Sequence, residues 1–208
     1  MNPEKKSFDI RFESGSLVFG DKTLGSPFNV YAPGRYLQNV NGSNVFRELR
    51  TWAFAVRSGD QIEYSWPLAS FDQNMYHLRV YGPNGFYREY KGSAIDPLIE
   101  VQCNYQVGGI EQKKLTGNIS LMMRNSGRDH LTVTIIDNAY KTGSIKKTLG
   151  PSANQSGDTV IPIDLSKQFG WYDFTVKVEG SEMFSIRYAG RVDTGEAGFS
   201  DPFMGRTI

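Results

Sequence analysis

The sequence predicts an all-β protein built as two tandem immunoglobulin-like β-sandwich domains of about seven strands each. Three observations predict it. Apolar residues alternate with period two along almost the whole chain, turn residues punctuate these runs every roughly 8–15 positions, and one pattern recurs at an offset of 96–98 positions.

The alternation begins with Phe8, Ile10 and Phe12 between Ser7, Asp9 and Arg11. Trp52, Phe54 and Val56 continue it, followed by Ile62, Tyr64 and Trp66. Later runs are Ile99, Val101, Cys103 and Tyr105; Ile119, Leu121 and Met123; Leu131, Val133 and Ile135; and Tyr172, Phe174, Val176 and Val178. Successive strand side chains point to opposite faces, so each run offers one face to a core and the other to solvent. Between the runs lie Ser14-Gly15, Ala32-Pro-Gly34, Asn41-Gly-Ser43, Ser58-Gly-Asp60, Gly82-Pro-Asn-Gly85, Asn125-Ser-Gly127 and Ser156-Gly-Asp158, which read as hairpin turns and loops. No helical period persists beyond a turn or two.

The repeat aligns Tyr76-His-Leu-Arg-Val80 with Tyr172-Asp-Phe-Thr-Val176. It then aligns Phe86, Tyr90 and Gly92 with Phe184, Tyr188 and Gly190, and upstream Ser58-Gly-Asp60 with Ser156-Gly-Asp158. The boundary falls near Ser93–Pro97, giving domains 1–96 and 97–208 with a C-terminal tail on the second. Tyr76 and Tyr172 open the sixth strand of each copy, where a sandwich tyrosine packs its ring in the core and bonds its hydroxyl to nearby backbone. Together with Gly92, Trp171 and Gly190 they are read as structural residues.

The chain has 208 residues, 39% of them hydrophobic and 13% aromatic, enough for a core. Twenty-three basic against 22 acidic residues, evenly divided between the halves, exclude a nucleic-acid interface by charge. The single cysteine, Cys103, excludes a disulfide scaffold and reads as a buried thiol, and with two histidines it leaves no Cys/His zinc site. There is no apolar run long enough for a transmembrane segment. His77 takes the outward face of its strand and His130 lies in a turn, with no nucleophile spaced to meet either. Asp137-Asn138, Asp193 and Asp201 read as turn formers rather than calcium ligands. No phosphate loop is present, and Asn41-Gly-Ser43, Asn118-Ile-Ser120 and Asn154-Gln-Ser156 match the glycosylation sequon as chance allows. Catalytic and metal residues and a cofactor are therefore all assigned as none. The surplus is aromatic: Trp66, Phe71, Tyr76, Tyr81, Phe86, Tyr87 and Tyr90 crowd 25 positions. They predict a packed interface between the copies ahead of a surface for sugar or lipid.

The residues Gly170-Trp-Tyr-Asp-Phe-Thr-Val176, Phe184–Gly195 and Ser200-Asp-Pro-Phe-Met-Gly205 resemble the C-terminal end of bacterial phosphocholine-preferring phospholipases C. Gly82–Gly92, Asn125-Ser-Gly127 and Asp137-Asn-Ala-Tyr140 resemble further parts of the same tandem region, with Arg191 and Asp193 standing where the family pattern has His and Glu. The resemblance implies the noncatalytic tail of a longer, exported enzyme, secreted or held in the cell envelope, with Met1 an artificial start. Its partners would be the N-terminal catalytic domain and a zwitterionic lipid surface, the latter in keeping with a net charge near zero. A carbohydrate-binding module and a purely structural spacer are the alternatives.

Overall fold

Ser7–Glu13, with Phe8, Ile10 and Phe12 at alternate positions, forms strand β1 of the computed structural model. The structure describes residues 1–2, 4–16, 19–109, 114–151 and 158–204. They divide into two compact units, Met1–Asp96 with Met183–Ile186, and Pro97–Glu182 with Arg187–Ile208. Among the described residues every regular element beyond single 3-10 turns is a strand, and no helix is long and apolar enough to cross a membrane.

In the first unit β1 is followed by β2 (Ser26–Val40), β3 (Ser43–Val56), β4 (Gln61–Pro67), β5 (Tyr76–Tyr81) and β6 (Tyr87–Gly92). β1 pairs with β4, and opposite them the order is β6-β5-β2-β3, all antiparallel. The core between these layers is aromatic. Phe8 stacks on Tyr76 at 4.3 Å, Phe12 lies 5.2 Å from Phe28, and Trp52 meets Trp66 edge-on at 5.6 Å. Val30, Leu78 and Trp66 are completely enclosed. Burial of this kind contributes about 25 cal/mol per Å2 of apolar surface and dominates the unit's stability.

The unit has six described strands rather than seven, because Ala32-Pro-Gly34 does not end a strand as its turn-forming composition suggests. Pro33 and Gly34 form a bulge inside β2, where the register shifts between Ala32 and Arg35 and the two residues lie opposite Leu49 alone. Leu49 absorbs the mismatch with a left-handed φ of 58°. β2 joins β5 only through Asn29–Tyr31, while its pairing with β3 continues to Val40 and Ser43. The outer half of the β2–β3 hairpin is therefore a two-stranded ribbon. Tyr36, wedged edge-on between Trp52 and Phe71, anchors its base. At its tip Asn41 (φ 52°) and Gly42 (φ 85°) form a primed turn, which requires residues tolerant of positive φ at both positions.

In the second unit β7 (Ile99–Gly108), β8 (Lys114–Asn125) and β11 (Thr159–Ile163) form one sheet in the order β11-β8-β7. β9 (Leu131–Asp137), β10 (Ser144–Leu149), β12 (Trp171–Val178) and β13 (Ser181–Arg191) form the other in the order β10-β9-β12-β13. This is the pairing order of the first unit with one strand, β7, added in front. Ile119, Leu121, Val133 and Val176 fill the core, and the Tyr188 hydroxyl donates across it to the Val101 carbonyl at 2.8 Å. Cys103, on β7, is half-buried rather than enclosed, because β7 is the outer strand of its three-stranded sheet.

Candidate functional site

The ring of Tyr76 is in the core, as its position in β5 leads one to expect, but its hydroxyl does not reach backbone. It donates to the Asp96 carboxylate at 2.5 Å, and Asp96 also accepts from the Ser93 backbone N–H at 2.7 Å. Gly92, directly opposite Tyr76 in the β5–β6 ladder, is what leaves room: a Cβ there would lie 2.5 Å from the Tyr76 oxygen and against both carboxylate oxygens of Asp96. Burial pushes the Asp96 carboxyl up, and the Tyr76 and Ser93 donors oppose it.

Of the seven crowded aromatics, Trp66, Phe71 and Tyr76 belong to the core of the first unit, and Phe86 and Tyr90 pack against it. Tyr81 and Tyr87 face outward, 5.0 Å apart, with Tyr31 5.4 Å from Tyr81. On the same outward face His77 Nε2 lies 2.6 Å from Glu89, and Arg79 donates to the same oxygen at 2.9 Å. Burial alone would raise the Glu89 carboxyl, but the bonds from Arg79 and His77 and the Lys91 charge hold it at about 2. Burial lowers the His77 imidazole. The cluster is saturated with mutual ion pairs and presents no nucleophile. His130 is exposed in its loop.

Room for a ligand is found in the second unit. A cleft of about 220 Å3 opens between the β9–β10 loop and the turn leading into β12. Its floor is apolar, from Ile135, Ile145, Ile163, Leu165 and Phe174. Trp171 and Tyr172 line it, so two residues expected to be purely structural also shape a cavity. Trp171 is half-buried and its indole N–H donates to the Phe199 carbonyl at 3.0 Å, while Tyr172 is buried. Gly190, at the end of β13, is buried.

One wall is the Asp137 loop. The Asp137 carboxylate accepts from the backbone N–H groups of Ala139, Tyr140 and Thr142 and from the Thr142 hydroxyl. Burial works against it, yet these donors keep its carboxyl below the usual range. Asp137 is thus a turn former, as are Asp193, which accepts from Gly195 N–H, and Asp201, which accepts from Phe203 N–H. Among the described residues no three His, Cys, Asp or Glu side chains converge as metal ligands. Asp173, a further lining residue, is held by a bidentate pair with Arg187, at 2.7 and 2.5 Å.

The other wall is a 3-10 turn, Ser166–Gln168. Asp164 accepts the Ser166 N–H at 2.9 Å, and the Leu165 N–H donates to the Asn118 amide oxygen on β8. Phe169 (φ 55°) and Gly170 (φ 82°), both left-handed, then turn the chain into β12. This geometry presses Gln168 inward: it is 6% exposed, lines the cleft, and its Oε1 has no hydrogen-bond partner among the described residues. Gln168 and Asp164 carry no motif that sequence could have revealed. The Asp137 loop is announced by Asp-Asn, and the Arg79–Glu89 pair could have been counted outward from the Gly82–Gly85 turn. Of the repeat's upstream marker, residues 156 and 157 lie outside the described residues, as do Asn154-Gln-Ser156 and Gly205.

A family model described as bacterial phospholipase C, C-terminal domain, matches residues 8–93 and, separately, residues 99–191. The chain is 35% identical over 130 residues to a non-hemolytic phospholipase C of Pseudomonas aeruginosa, an alignment covering 62% of this chain and 18% of that protein. It is 31% identical over 158 residues to a non-hemolytic phospholipase C of Burkholderia pseudomallei, covering 74% and 21% respectively. A hemolytic phospholipase C of P. aeruginosa is 37% identical over 136 residues, covering 62% and 17%. The chain spans about a fifth of the length of these curated relatives.

Proposed function

The chain belongs to the family of bacterial phospholipase C C-terminal domains, and from that premise we propose that it is a noncatalytic accessory region of an exported phospholipase C, with domains 1–96 and 97–208 as its two copies. It packs on the catalytic domain and helps present that domain to phosphatidylcholine or sphingomyelin at a lipid surface. The observation that carries this reading is the double family match on a chain one-fifth the length of its relatives.

The β2–β3 ribbon is the contact this reading assigns to the catalytic domain. Val45 and Leu49 are exposed on it at 43% and 54%, and Leu49 holds a backbone conformation that leucine disfavours. Strain kept together with an exposed apolar side chain is a mark of an interaction site. The near balance of charge suits a protein contact or a zwitterionic surface better than an anionic one.

Two measurements test the reading. The chain is mixed with the catalytic region of the P. aeruginosa non-hemolytic relative, freed of its own C-terminal copies, and complex formation is followed by analytical ultracentrifugation. Flotation with phosphatidylcholine vesicles, compared with anionic vesicles, tests the lipid role separately. A complex without vesicle binding leaves a structural spacer. Neither interaction, or hydrolysis of a phosphodiester by the chain alone, overturns the proposal.

A further inference from the structure

We propose that the cleft of the second unit is a carbohydrate-binding subsite that takes one sugar ring, with the buried Gln168 amide oxygen accepting a sugar hydroxyl. Four observations carry this. The first is an unmet acceptor: Gln168 is more than nine-tenths buried and its Oε1 lacks a partner among the described residues. Leaving such an atom unbonded is costly, and a hydroxyl donor removes that cost.

The second is size and lining. At about 220 Å3 the cleft exceeds the ~150 Å3 that encloses a benzene ring, so a pyranose can enter. The apolar floor of Ile145, Ile163 and Phe174 and the rings of Trp171 and Tyr172 suit the C–H faces of a sugar, while Asp164 at the rim offers a further acceptor for hydroxyls.

The third is charge. No Lys, Arg or His is among the cleft's lining residues, and Asp137, Asp164 and Asp173 are, so a phosphate or another anion is repelled. The fourth separates a neutral polyol from a cation. The carboxylates are largely spoken for: Asp137 receives four hydrogen bonds from its own loop and Asp173 is neutralised by Arg187. What remains unsatisfied is acceptor capacity, which calls for hydroxyl donors rather than for positive charge.

The test titrates the intact 208-residue chain with glucose, galactose, mannose and N-acetylglucosamine, with tetramethylammonium and inorganic phosphate as parallel probes, followed by amide and indole NMR shifts. The proposal expects at least one sugar to move the Gln168, Trp171 and Thr142 signals saturably, with little change in high salt. Gln168→Leu weakens that binding by about tenfold or more while leaving the melting temperature unchanged or higher, since it deletes an unsatisfied polar atom. Asp164→Ala, at the exposed rim, weakens it several-fold and serves as the second variant should Gln168→Leu fold poorly. Shifts caused by tetramethylammonium or phosphate but by no sugar overturn the proposal. So does the absence of any shift at these residues, or sugar binding that survives both substitutions.

Discussion

Tyr76 and Asp96, twenty residues apart, are joined by a 2.5 Å hydrogen bond that passes over the bare backbone of Gly92. The bond fastens the last segment of the first unit, just beyond β6, to the ring at the centre of its core. It also gives a half-buried carboxylate its main compensation for lost hydration.

Tyr76→Phe removes the donor and leaves Asp96 only the Ser93 N–H. Because burial raises the folded-state Asp96 carboxyl above 3.8, keeping it ionised costs stability as pH climbs through that folded value, and the Tyr76 donor reduces the cost. The substitution is expected to destabilise by about 1–2 kcal/mol at neutral pH and by less below pH 3.8, where Asp96 is protonated in both states. Urea unfolding at the two pH values measures the difference; an equal loss at both would contradict the assignment.

Gly92→Ala forces a methyl group between Tyr76 and Asp96. The expected loss is about 2–3 kcal/mol, and it shrinks in the Tyr76→Phe background because one of the clashing oxygens is gone. A double-mutant cycle on thermal stability reads this coupling directly, and strict additivity would be the wrong outcome.

Glu89 behaves in the opposite sense. Its carboxyl is held at about 2, below the ordinary 4.5, so its contribution is complete above pH 4.5 and disappears as pH falls from there toward 2. Glu89→Gln is expected to lower stability by on the order of 2 kcal/mol at neutral pH and to flatten the acid limb of the stability curve. The check is a pH series of denaturation midpoints for the two proteins.

Leu49→Asn separates stability from recognition. Asparagine tolerates the left-handed backbone better than leucine, so the isolated chain should be as stable or up to about 1 kcal/mol more stable. Affinity for the catalytic region should fall, since an exposed apolar contact is lost. A variant that binds unchanged would remove the ribbon from the interface.

The strands were readable where alternation was strict, as in β1, β4 and β12, because one buried face imposes period two on the sequence. β10 escaped notice for the converse reason: five of its six residues are exposed, so nothing forces an apolar residue onto every second position. Ala32-Pro-Gly34 misled because a bulge and a turn ask for the same residues, and only the length of the pairing beyond it distinguishes them. The site was less legible than the fold. Tyr76 could be placed in the core from its strand position, whereas the choice of Asp96 over backbone as its partner depends on how the chain returns after β6. Gln168 is invisible for a stronger reason, since a lone glutamine in a short turn has no pattern, and its burial follows from the left-handed pair Phe169–Gly170 that turns the chain inward.

The ribbon has a consequence for handling the protein. β3 stands at the margin of its sheet, and thirteen of its fourteen residues are exposed or only half-covered. Such a margin offers unpaired backbone donors and acceptors to any other extended chain, including another molecule of the same protein. Arg47, Glu48 and Arg50 interrupt it with charge between Val45 and Leu49 and beyond, which discourages intermolecular strand addition. Neutralising those three side chains is expected to favour strand addition between molecules at this edge, and hence aggregation.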